Sequence, residues 1–149
     1  MSMVLNSDTI IKKLSNLVEL DFDAVAAYKE AIERIENPSF KATLGEFMLD
    51  HERHIADLSE IIRKEGGTPP DSGDFKKILT KGKVQLADLV GDDKAILKAM
   101  KLNEDQTTTM YQERCEEDFP NHIHTVLQKG LEDERRHRAW IVTTIEQYT

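Results

Sequence analysis

Six chemically matched positions recur at a single offset of 83 residues: Asp21 with Glu104, Tyr28 with Tyr111, Asp50 with Asp133, His51 with Glu134, Arg53 with Arg136 and His54 with His137. Each half of the chain thus carries an acid, a tyrosine two helical turns later, and an Asp-x-x-Arg-His segment farther on. Independent surface decoration would rarely keep one spacing through six positions. The pattern describes two related halves that meet about a pseudo-two-fold axis, with the repeated ionisable residues at the meeting place.

The hydrophobic periodicity says what those halves are. Helix A is predicted over Ser7 to Ile35, with Ile10, Leu14, Leu17, Ala24, Tyr28, Ala31 and Ile35 recurring every three or four residues. Asn6, Ser7 and Asp8 are capping candidates, and Asn37-Pro38 stops the helix. Helix B is predicted from Ser39, with Phe40, Leu44, Phe47, Leu58 and Ile61 on one stripe, and ends at Gly66-Gly67. Helix C follows Gly91-Asp92-Asp93 and carries Leu97, Met100, Tyr111 and Cys115. Helix D follows Pro120 and carries Ile123, Leu127, Ile141, Ile145 and Tyr148. The short A–B and C–D links make two antiparallel hairpins. The long B–C link holds its own amphipathic piece around Phe75 to Leu89 and permits a single-crossover bundle. No window alternates apolar and polar residues as a strand would. Residues 1–149 read as one all-α domain.

Each stripe is interrupted by ionisable residues: Asp21 on helix A, His51 and His54 on B, Glu104 on C, Glu134 and His137 on D. One unpaired buried carboxylate costs several kcal/mol, comparable with the whole net stability of a domain. Three carboxylates and three imidazoles on core stripes therefore need a common partner. A metal centre supplies one, because it neutralises carboxylates and takes imidazole lone pairs. The spacing agrees, since residues three apart share a helix face, so His51/His54 and Glu134/His137 can each converge.

Composition removes other classes. The formal charge is −8, which repels phosphate backbones and argues against a nucleic-acid partner. No run is long and apolar enough for a membrane span, and Met1–Asp8 lacks the charge and apolar core of a signal peptide. Cys115 is the one cysteine, which excludes a disulfide framework and a thiolate zinc cluster and suits a reducing cytoplasm. His122 and His124 read as solvated, Trp140 as packing or a contact surface, and Glu19, Glu52, Arg53 and Arg136 as surface charge.

The segments Asp50-His51-Glu52-Arg53-His54 and Asp133-Glu134-Arg135-Arg136-His137 resemble the Asp-Glu-x-x-His and Glu-x-x-His segments of bacterioferritin. Over nearly its whole length the chain resembles the ferritin-like superfamily, which includes bacterioferritin and rubrerythrin. Within it the chain is similar to small bacterial ferritin-like four-helix-bundle proteins of unknown function. The resemblance implies an antiparallel ferritin-like four-helix bundle around two iron ions. It implies Asp21 and Glu104 as terminal ligands, His54 and His137 on one metal each, and Glu134 as a bridge. It implies Asp50 and Asp133 as partners that orient the histidine of the opposite hairpin, with Tyr28 and Tyr111 lining the site. A homodimer is implied as well, because ferritin relatives commonly dimerise.

Two positions depart from the family pattern. Asp21 is one methylene shorter than the usual Glu, and His51 stands where a second bridging Glu is expected. Four carboxylates against two divalent ions sum to zero. Three leave a charge of +1, which a bridging hydroxide or oxo group would neutralise; the alternatives are a site with one metal, or a metal other than iron, since histidine also suits zinc, nickel or copper. Three functions fit: a di-iron protein that reduces O2 or peroxide or oxidises ferrous iron and draws on an external electron donor; a non-catalytic metal buffer or sensor; or an interaction bundle that has lost its metal.

Overall fold

The computed structural model describes residues 4–72 and 91–148. Among these, all regular structure is helical: α1 (Ser7–Arg34), α2 (Pro38–Lys64), α3 (Asp93–Cys115) and α4 (Asn121–Glu146). The short helix expected around Phe75 to Leu89 lies outside the described residues.

Local chemistry sets the helix ends. Asn6 caps α1 by accepting the Thr9 amide at 2.9 Å. Asn37 accepts the Ser39 and Phe40 amides at 2.8 and 3.2 Å, and Pro38 takes the first position of α2, where its missing N–H costs nothing. Gly66, at φ 94°, lets α2 end in a Schellman turn in which the Gly67 amide reaches the Ile62 carbonyl at 2.9 Å. Asp92 caps α3 at the Ala95 amide. The last helix ends two residues short of its apolar stripe: α4 stops at Glu146, and Tyr148 lies beyond it, part-exposed, with its ring against Phe40.

Helix α1 packs on α2 and α3, and α4 packs on α3 and α2. The direction of each pair follows from its hydrogen bonds. Tyr28 reaches Glu104 while Tyr111 reaches Asp21, so α1 and α3 are antiparallel. Arg136 and His137 meet Asp50 while His54 meets Asp133, so α2 and α4 are antiparallel too. With two antiparallel hairpins, α2 and α3 then run the same way. The end of α2 and the start of α3 lie at opposite ends of the bundle, as a single-crossover ferritin-like bundle requires.

The core splits into two apolar layers. One is built on Leu14, Leu17, Leu58, Ile62, Ile123 and Leu127, the other on Ala31, Leu44, Phe47, Leu97, Met100 and Ile141. The six ionisable stripe residues occupy the level between them. At one end Asp93 ties the hairpins together, accepting the Glu36 and Asn37 amides at 2.8 and 3.0 Å.

Asp93→Ala would remove a carboxylate that is itself buried and leave those two amides of a part-exposed turn without it. The expected cost is about 1–3 kcal/mol in urea denaturation, with the helical circular dichroism unchanged. An unchanged unfolding midpoint would show that the tie contributes nothing.

Candidate metal centre

The six ionisable residues come from four helices and meet at one place. Asp21, His51, Glu104, Glu134 and His137 are at most 1 % exposed, and His54 is 4 % exposed. Donor atoms from these residues form two overlapping groups, each with all its atoms within 4.8 Å of one another: Asp21, His51, His54 and Glu134, and His51, Glu104, Glu134 and His137. His51 and Glu134 belong to both.

In the first group, Asp21 Oδ1 lies 2.8 Å from His51 Nδ1 and 3.4 Å from His54 Nδ1. Glu134 Oε1 faces the same two nitrogens at 3.5 and 3.4 Å. In the second, Glu104 Oε1 lies 3.2 Å from both His51 Nε2 and His137 Nδ1. Glu134 Oε2 accepts a hydrogen bond from the Thr107 hydroxyl at 2.6 Å, but Oε1 is buried without a hydrogen-bond partner among the described residues. A wholly buried carboxylate oxygen left so, aimed at two imidazoles, is the atom a cation would complete. The donor set, oxygen and imidazole nitrogen only, fits divalent metals.

A second ring of contacts holds the inner one. His54 and His137 each turn Nδ1 inward and Nε2 outward. Nε2 of His54 meets Asp133 Oδ2 at 2.9 Å, and that of His137 meets Asp50 Oδ2 at 2.8 Å. Each aspartate lies on the opposite hairpin from its histidine, so the pairs fix both ring orientation and the docking of the hairpins. Tyr28 donates to Glu104, and Tyr111 donates to Asp21 Oδ2 at 2.6 Å, again across the axis.

Arg53 and Arg136, expected as plain surface charge, have a structural role. Arg53 pairs with Asp133 and Asp50, and Arg136 pairs with Asp50 and Asp133. Their guanidinium groups compensate the outer carboxylates while remaining part-exposed. His122 is exposed, whereas His124, expected as solvated, is half-buried and lies 2.8 Å from the Cys115 carbonyl through Nε2. Trp140 packs edge-on against Phe40 and Phe47. The Thr107 hydroxyl lies against both Glu104 Oε2 and Glu134 Oε2, a role that a threonine on an apolar stripe does not signal in a sequence.

The pseudo-symmetry fails beside the centre in one instructive way. Phe47 stacks on the His137 ring at 4.2 Å between centroids and closes that end. Its counterpart one offset later is Gly130, where a Cβ would sit 2.9 Å from Tyr111 Cδ1. Only a glycine leaves room for the tyrosine that holds Asp21. A narrow cleft of about 10 Å³, enough for a single water, opens here among Arg53, His54, Asp57, Tyr111, Lys129 and Gly130.

Electrostatics inside the cluster are mutual. Burial pushes the Glu134 carboxyl up to about 8, with the Glu104 charge adding and His51 opposing. Burial would lower the two histidines of α2. For His51 the charge of Glu134 and hydrogen bonds to Asp21 and Glu104 win, holding it well above the usual range. For His54 the bonds to Asp133 and Asp21 win, raising it to about 11. Burial likewise raises Asp21 and Glu104, but imidazole hydrogen bonds bring both below the usual carboxylate range. Burial also pushes Tyr28 and Tyr111 up, so both stay protonated.

Raised groups stabilise the fold fully below their unfolded values and lose that contribution as pH climbs to the folded value. For Glu134 the window runs from 4.5 to about 8, and for His54 from 6.5 to about 11. Chelator-treated protein should therefore melt progressively lower from pH 6 to pH 9. A metal bound here would displace these same protons, so the melting-temperature gap between protein with and without added metal should widen over that range. A gap independent of pH would contradict this.

Comparison with known proteins agrees with the fold. A solved structure of a ferritin-like, diiron-carboxylate protein from Bacillus anthracis str. Ames superposes with a TM-score of 0.74 at 19% sequence identity, covering 96% of this chain and 99% of that one. At that identity the likeness shows the fold alone. No curated protein matches. Residues 9–117 match the family described as a domain of unknown function, DUF2383, and the chain belongs to that family.

Proposed function

We propose that this chain binds two divalent metal ions, iron in the resident form, and passes electrons from them to O2 or peroxide. The observation that carries the reading is the pair of overlapping buried donor groups around Glu134 Oε1, which accepts no hydrogen bond among the described residues. The ferritin-like fold of the diiron-carboxylate neighbour supports iron as the metal. Asp21 and His54 would hold one ion and Glu104 and His137 the other, with Glu134 and His51 shared. Two ferrous ions, when bound, supply two electrons for a small oxidant.

The chain's own residues do the rest. Asp133 and Asp50 accept the Nε2 protons of His54 and His137 and keep each Nδ1 turned inward. Tyr28 and Tyr111 stay protonated and donate hydrogen bonds to Glu104 and Asp21, which fixes the orientation of those carboxylates. Apolar layers above and below exclude water from the centre. A one-water cleft borders His54 and Tyr111, the side from which a small reactant would approach. Turnover needs an external electron donor.

A second reading, a non-catalytic metal buffer or sensor, is favoured by the way the imidazoles and carboxylates compensate one another. Such a centre survives without metal and can load and unload reversibly.

Anaerobic titration with ferrous iron should give two ions per chain, and the loaded protein should consume peroxide. Loading without peroxide consumption would favour the buffer. No binding above that of a triple variant, Asp21→Ala, Glu104→Ala and Glu134→Ala, would remove both readings. Asp133→Asn, which keeps shape but not charge behind His54, should weaken one of the two ions about 10–100-fold in competition with a chelating dye.

A further inference from the structure

Among the three histidines of the centre, His51 stands apart. His54 and His137 each commit Nε2 to an outer aspartate and leave only Nδ1 for the interior. His51 has no such partner behind it. Its Nδ1 lies 2.8 Å from Asp21 Oδ1 and 3.5 Å from Glu134 Oε1, in the group that contains His54. Its Nε2 lies 3.2 Å from Glu104 Oε1, the oxygen that is also 3.2 Å from His137 Nδ1. The two ring nitrogens therefore face different donor groups, and the ring is wholly buried between them.

We infer that His51 is a bridging ligand that binds both metal ions at once, one through each ring nitrogen. This deepens the reading given under Proposed function and rests on it. Symmetry supports the assignment independently of the distances. One offset of 83 residues on from His51 stands Glu134, the other residue shared by both groups. A carboxylate can bind two ions through its two oxygens. An imidazole is the other side chain with two lone-pair atoms directed to opposite sides. His51 thus replaces a carboxylate bridge with a nitrogen bridge in the matching place.

Charge supports it as well. When metal occupies both nitrogens, two N–H bonds of the histidinium break, two nitrogen–metal bonds form, and two protons leave to water. The ring becomes an anion. Asp21, Glu104, Glu134 and His51 then supply four negative charges against two divalent ions, and the positive charge that three carboxylates leave behind disappears. The competing account is that His51 stays a cation whose only task is to hold Asp21 and Glu104 together.

Nitrogen NMR on the full chain separates the two. The protein, labelled with ¹⁵N in the histidine rings, is stripped with chelator and loaded with zinc as a diamagnetic probe. His54 and His137 should each keep one ring proton, on Nε2. His51 should keep none, with both nitrogens shifted to metal-bound positions. His51→Ala, read by chelator competition, should weaken both zinc ions by about tenfold or more. One ion per chain, or two with a ring proton still on His51, overturns the bridge and leaves the metal-binding reading standing. Zinc that does not bind at all overturns both. The measurement on unmutated protein decides the question even where the variant fails to fold.

Discussion

Everything in this bundle depends on compensating charge in a place where water cannot reach. Three carboxylates and three imidazoles sit between two apolar layers at the middle of four helices. In so poor a dielectric each would cost several kcal/mol if left alone, enough together to exceed the net stability of a domain this size. They are tolerable because they face one another. The histidines of α2 carry protons deep in the core, and the carboxylates of α1 and α3 stay ionised beside them. Protons fill the cationic role here, and it is the role that metal ions would take over under the proposed function.

The frame itself is built by exchange between the hairpins. Asp50 holds His137 and Arg136, while Asp133 holds His54 and Arg53. Tyr28 and Tyr111 make the same exchange between α1 and α3. Each half thereby supplies the outer partner for the other half's inner residue, so neither half can present its donors correctly by itself. Where the halves differ, the difference has a use. Phe47 stacks over His137 at one end, while Gly130 leaves room at the other for the Tyr111 ring that holds Asp21. His51 and Glu134 share the centre as one nitrogen and one oxygen donor.

Much of this is legible from residues alone. The four helices follow from the three-and-four spacing of Leu14, Leu17, Leu44, Leu97, Leu127 and their neighbours, and from turn signals such as Asn37-Pro38 and Gly66-Gly67. The convergence of Asp21, His51, His54, Glu104, Glu134 and His137 follows from charge placed on apolar stripes, which needs a common remedy. Other features leave no local trace. Asp93 looks like one more acid at a helix start, yet it ties two turns that are far apart in sequence. Arg53 and Arg136 look solvated because a periodic pattern cannot show which carboxylate a long side chain reaches. Gly130 reads as a weak point in a helix until the Tyr111 ring is set against it. In each case the missing information is a contact between different helices, which spacing within one helix cannot encode.

The most direct test is to count protons displaced when metal binds. Calorimetric titration of the stripped protein with zinc or ferrous iron, repeated at neutral pH in buffers of different ionisation enthalpy, gives that number. If cations replace protons at one buried point, binding should release about two or more protons per chain. Binding that releases none would mean that the metal sits elsewhere and that the buried cluster is held together by its own charges alone.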